Sequence, residues 1–147
     1  MSRQAAVSFS HLAICAGDLE RSLTFYTEGL GFVLAHAIEE LGPPFDTLME
    51  LPGTTCSVRQ LTCGEVMIEL IGYPGSEVEG PAERRPMNRR GLTHITLKVD
   101  DIDAVAAQVV KYGGSVHEET RIDSAFGPIL FCTDPDGVRI ELIQPAG

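Results

Sequence analysis

Basic residues are scarce in this chain: 11 lysines and arginines stand against 21 aspartates and glutamates, a formal charge of −10. A surface of that sign repels phosphate backbones and anionic headgroups, which argues against nucleic acid and membranes as partners. No run approaches the ~20 apolar residues needed to cross a bilayer, and residues 1–7 lack the apolar stretch of a signal peptide. A soluble cytoplasmic protein is therefore expected. The four cysteines, Cys15, Cys56, Cys63 and Cys132, contain no Cys-x-x-Cys pair, so reduced, mostly buried thiols are expected rather than a disulfide framework. What the chain does have is apolar content, 44% of 147 residues, too much for disorder and enough for one core or two small modules sharing an interface.

The sequence repeats itself. Ser10-His11-Leu12-Ala13-Ile14, followed by Asp18-Leu19-Glu20, returns as Thr93-His94-Ile95-Thr96-Leu97, followed by Asp101-Ile102-Asp103. A second echo closes each copy, Met67-Ile68-Glu69-Leu70-Ile71 against Arg139-Ile140-Glu141-Leu142-Ile143. The two echoes have different offsets because the first copy holds more residues between its anchors.

Each copy predicts the same order of elements. Alternation of apolar and polar positions predicts strands over 8–14 and 92–99, each with one buried face. Asp18 and Asp101 then suit helix N-caps, since a carboxylate accepts from the free amides of a first turn. Leu19, Leu23, Tyr26 and Leu30 recur at helical spacing, as do Ile102, Val105, Ala106 and Val109. Extended runs follow near 32–39, 55–62 and 65–72, and again near 115–122, 128–133 and 138–143. The last two flank Asp134-Pro135-Asp136-Gly137, a strong turn former. The expectation is an α+β protein of two tandem βαβββ modules, residues 1–80 and 92–147. The proline-rich, aperiodic stretch within 73–91 joins them, with the connection proper at 81–91.

His11 and His94 open the first strands and Glu69 and Glu141 lie in the last, all among apolar neighbours. A buried carboxylate costs several kcal/mol unless it is paired or metal-bound, and two at equivalent places need a common explanation. A divalent cation supplies one: two neutral imidazoles and two carboxylates neutralise its charge, and mixed nitrogen and oxygen ligation suits Ni, Co, Mn, Fe or Zn. His36 and His117 have no repeated counterparts and adjoin Glu39 and Glu118, which places them on surface strands rather than in the ligand set.

His11-Leu-Ala-Ile with Asp18-Leu-Glu-Arg-Ser-Leu-Thr-Phe-Tyr, then His94-Ile-Thr-Leu-Lys-Val-Asp-Asp-Ile, Asp134-Pro-Asp-Gly and Ile140-Glu141-Leu142 together resemble the vicinal oxygen chelate superfamily across nearly the whole chain. The resemblance implies that the two sheets curve into a cup around the metal, within one chain or across a homodimer, and a homodimer is expected. The order His, Glu, His, Glu is similar to bacterial glyoxalase I, which implies a metal-stabilised enolate with Glu141 as the base and Glu69 as its partner. Where glutathione-gripping members carry an arginine four residues after the first histidine and an asparagine four after the first glutamate, this chain has Cys15 and Tyr73. The lysine of a later loop is replaced by the stretch Asp123-Ser-Ala-Phe-Gly127. Those departures point away from a glutathione hemithioacetal.

Arg84, Arg85, Arg89 and Arg90 gather four of the 11 basic residues in the connection. Arginine forks recognise carboxylate and phosphate, so Arg89 and Arg90 are expected to bind an anionic substrate, such as a carboxylate or a coenzyme A thioester. The leading expectation is a metal-dependent lyase, isomerase or epimerase acting on a small anionic carbonyl compound. The alternatives are an Fe(II) ring-cleaving dioxygenase, with His11, His94 and Glu141 as its triad, and a non-catalytic drug- or ligand-binding protein.

Overall fold

A computed structural model describes residues 3–147. The first module runs β1 (Leu12–Cys15), α1 (Leu19–Thr24), a π-helical turn (Phe25–Gly29), β2 (Val33–Leu41), α2 (Phe45–Leu48), β3 (Cys56–Cys63) and β4 (Val66–Gly72). The second runs β5 (Ile95–Lys98), α3 (Ile102–Lys111), β6 (Ser115–Ser124), β7 (Gly127–Thr133) and β8 (Arg139–Ile143). Each builds one four-stranded sheet, in the orders β1-β4-β3-β2 and β5-β8-β7-β6. Within each sheet the outermost pair, β1 with β4 and β5 with β8, is parallel, and the remaining pairs are antiparallel. The fold is thus the α+β tandem of βαβββ modules with mixed sheets, but the two sheets do not close on each other.

The caps act as their chemistry requires: the Asp18 carboxylate accepts from the Arg21 amide at 3.0 Å and Asp101 from the Ala104 amide at 2.9 Å. Two local features depart from the periodicity. The apolar spacing from Leu19 to Leu30 predicts one helix, yet it widens into the π turn at Phe25, and α2 occupies the longer β2–β3 connection where no helix is predicted. Two of the four thiols, Cys56 and Cys132, are buried, and Cys15 and Cys63 are exposed, which corrects the expectation of mostly buried thiols.

One core serves both modules. Phe25 and Tyr26 from the first pack with Val109, Leu130, Cys132 and Ile140 from the second, and the Phe25 and Tyr26 rings meet edge to face at 5.1 Å. Polar bonds lock the same junction. The buried Tyr26 hydroxyl donates to Asp134 Oδ2 at 2.9 Å, while Asp136 accepts from the Gly17 amide and the Ser22 hydroxyl. Burial, with Asp136 nearby, raises the Asp134 carboxyl above the ordinary aspartate range, and burial with Asp134 beside it raises the Tyr26 phenol. Removing the hydroxyl strands a buried carboxylate oxygen, so Tyr26→Phe is expected to lower stability by about 1–3 kcal/mol in urea unfolding. An unchanged midpoint would show that this bond contributes nothing.

Strand alternation decides what points away from that core. Ile68 and Leu70 of β4, and Ile140 and Leu142 of β8, enter it; Glu69 and Glu141 between them face the open side of each sheet.

Candidate metal and substrate site

Each open face carries one histidine and glutamate pair. His11 Nε2 lies 3.5 Å from Glu69 Oε2, and His94 Nε2 lies 3.6 Å from Glu141 Oε2. All four side chains are half-buried rather than sealed, because the sheets leave these faces open. The residue before each histidine repeats a further contact: the Ser10 hydroxyl is 2.8 Å from His11 Nδ1, and the Thr93 hydroxyl is 2.8 Å from His94 Nδ1. Occupying Nδ1 fixes the ring and leaves Nε2 for the carboxylate side, the arrangement by which outer partners orient a metal-binding imidazole.

The surroundings of the two carboxylates differ. In β3, Gln60 stands directly across from Glu69, and its Nε2 donates to Glu69 Oε2 at 2.8 Å. The matching place across from Glu141 is Phe131, and the Thr96 hydroxyl donates to Glu141 Oε1 over a longer 3.4 Å. Glu69 is tethered, whereas Glu141 is freer to turn.

The structure brings the four expected ligands together as two pairs. Among the described residues no three of histidine, cysteine, aspartate and glutamate converge into one cluster. Each pair offers one imidazole nitrogen and one carboxylate oxygen, converging and already oriented, so each fits half of a nitrogen and oxygen ligand set for a divalent ion.

A cavity of about 640 Å³ opens beside the second pair, between β1, β5 and the connection. His94, Arg84, Arg85, Arg89 and Arg139 all contribute to its wall. Arg90 does not line it; the Arg90 carbonyl accepts from the Arg85 guanidinium at 2.8 Å. Cys15 lines the cavity, and burial together with Asp136 raises its thiol. Tyr73 instead sits against Met49, its hydroxyl 3.8 Å from the sulfur.

His117 is less superficial than its acidic neighbours suggest. Its Nε2 lies 3.2 Å from the Thr133 hydroxyl, and burial with Arg84 nearby lowers its pKa. Gln60, Phe131 and Arg139 are site neighbours that periodicity alone passes over. Their signal is register: Gln60 and Phe131 face the two glutamates across the ladder, and Arg139 precedes Glu141 by two residues on the same face.

Residues 8–142 match the model of the Glyoxalase/Bleomycin resistance protein/Dioxygenase superfamily, and the chain belongs to it. Lactoylglutathione lyase of Salmonella typhimurium is 31% identical over 135 residues, spanning 91% of this chain and 90% of that protein. The mitochondrial methylmalonyl-CoA epimerase of Homo sapiens is 28% identical over 138 residues, spanning 92% of this chain and 72% of that protein. A glyoxalase family protein from Bacillus cereus shares the fold at a TM-score of 0.86, with 18% identity over 100% of this chain and 99% of that one. The chain is an enzyme of this superfamily, and these curated relatives are a lyase and an epimerase. Among its structural neighbours, the FosX of Listeria monocytogenes was crystallised with Mn(II). No described helix is long and apolar enough to cross a membrane.

Proposed function

We propose that the protein is a divalent-metal-dependent lyase or epimerase that moves a proton at a carbon beside a carbonyl of a small anionic substrate. The observation that carries this reading is the repeated pair itself: two imidazoles and two carboxylates at equivalent strand positions, with Nε2 to Oε2 separations of 3.5 and 3.6 Å. The reading assigns His11, Glu69, His94 and Glu141 as metal ligands. A divalent ion bound there supplies Lewis acidity that makes the neighbouring carbon more acidic.

The chain's own residues supply the rest. Glu141, whose one hydrogen bond is the long one from Thr96, takes the proton; Glu69, tethered by Gln60, is its partner and stays as a ligand, and the proton that replaces the one removed comes from Glu141 or from solvent. Ser10 and Thr93 hold the imidazoles. Arg89 in the cavity wall, with Arg90 beside it, attracts the anionic end of the substrate. A homodimer, in the cytoplasm, completes the ligand set: a second copy sets one chain's His11 and Glu69 against the partner's second pair. Exposed Val33, Leu34 and Ile38 on β2 supply apolar surface for that contact.

Metal content by mass spectrometry tests this on untagged protein. About one Ni, Co, Mn, Fe or Zn per four-ligand set is expected, with the ion lost in Glu69→Ala and in Glu141→Ala; no metal, and no uptake on titration, removes the reading. Methylmalonyl-CoA and lactoylglutathione, named by the relatives, are the probes for solvent deuterium entering a carbon position.

Gln60 provides a finer check. Outer partners of metal ligands typically change affinity 10- to 100-fold, so Gln60→Leu is expected to weaken metal binding about tenfold without unfolding the sheet. Equal affinity in a competition titration would mean that the tether is incidental.

A further inference from the structure

Two arginines are almost fully buried in this protein, and they are compensated in opposite ways. Arg59, 9% exposed, pairs with both Glu20 and Glu39. Arg139, 8% exposed, has no carboxylate partner among the described residues. Its guanidinium donates to the Arg85 carbonyl at 2.6 Å and lies 4.9 Å from the centre of the Phe131 ring. A carbonyl dipole and an aromatic face hold the group in place without cancelling its charge. Arg139 is part of the cavity wall that His94 also lines.

The neighbourhood adds positive charge. Arg84 and Arg85 line the same cavity, and Arg84 itself ties to Glu119 at 2.7 Å. Glu83 and Asp136 are the acidic residues in the wall; Asp136 is occupied by the Gly17 amide and the Ser22 hydroxyl. The connection is pinned here rather than free. Gly137, at φ +84°, lets the Glu83 backbone approach so closely that a Cβ would come within 2.4 Å of the Glu83 carbonyl carbon.

Position relates this charge to the proposed chemistry. Arg139 and Glu141 are two residues apart on one face of β8, roughly 7 Å along the strand. Phe131 touches both Arg139 and His94, whose ring centre is 5.4 Å from its own.

We infer that Arg139, supported by Arg84, is the seat for an oxyanionic group of the substrate, a carboxylate or phosphate carried a few bonds from the atoms that react at His94 and Glu141. This rests on the reading of that pair as part of the reaction centre, and it moves the principal anion contact from the connection onto β8.

The test is calorimetric titration of the full-length protein, stripped of metal on a chelating resin, with malonate and separately with inorganic phosphate at constant ionic strength. Saturable binding is expected, weakened about tenfold or more in Arg139→Met by loss of charge-assisted hydrogen bonds, several-fold in Arg84→Met, and unchanged in Lys111→Met. The tighter of the two probes identifies the source of the oxyanion. Circular dichroism checks the fold, and if Arg139→Met does not fold, Arg84→Met decides alone. The inference is overturned if neither probe saturates below about 10 mM, if a folded Arg139→Met or Arg84→Met binds like the wild type, or if Lys111→Met weakens binding equally. Anion binding without metal uptake upholds the anion seat and sinks the metal reading; metal uptake without anion binding does the reverse.

Discussion

The Glu141→Gln variant is expected to keep its fold and lose about 10²–10⁴-fold in the rate of solvent deuterium incorporation with whichever probe turns over, because a positioned base contributes that much. The amide is nearly isosteric and retains an oxygen, but it cannot accept the proton. Glu69→Gln is expected to fall mainly through weakened metal binding, so excess metal should restore more of its rate than it restores to Glu141→Gln. The prediction follows from the unequal tethers: beyond its histidine, Glu69 is fixed by Gln60 at 2.8 Å, while Glu141 has the longer 3.4 Å Thr96 bond. Equal losses and equal rescue would remove the division of labour. A Glu141→Gln variant as fast as wild type would remove Glu141 as base.

A second large effect should come from mixing two inactive proteins. In a symmetric dimer with shared sites, Glu69→Ala spoils one half of each ligand set and Glu141→Ala spoils the other. A mixed dimer then carries one site with both defects and one with neither. After free exchange of subunits, about a quarter of wild-type metal capacity and turnover should return from components that have almost none. A site assembled within one chain would recover nothing on mixing, whatever the ratio. Native mass spectrometry of the mixture, with one variant isotopically labelled, establishes that exchange has occurred.

Much of the architecture is legible in the sequence because it is written twice. The echo of His11 in His94 and of Glu69 in Glu141 exposes the tandem modules, and Asp18 and Asp101 cap their helices as a carboxylate before an amphipathic run should. The π turn escapes because Tyr26 and Leu30 keep helical spacing while the backbone widens between them. Separation of the ligands into pairs escapes for a different reason: spacing along the chain reports which strand a residue occupies, not how two sheets face each other. Arg139 is passed over because a lone arginine in a strand reads as solvent-facing. Its burial becomes visible only once the connection is laid across the end of β8, where the Arg85 carbonyl meets it.

The clasp between modules bears on how a complete site would form over time. Asp134 holds Tyr26, Asp136 holds Ser22 and the Gly17 amide, and the space above Gly114 is filled by Phe25 and the Thr133 carbonyl. Swinging one module away from the other would tear open that shared core, so in the proposed dimer each chain would meet its partner as a preassembled body. Assembly of sites should therefore be second order in protein, its half-time shortening in proportion as concentration rises, with no slow unimolecular opening step to cap the rate.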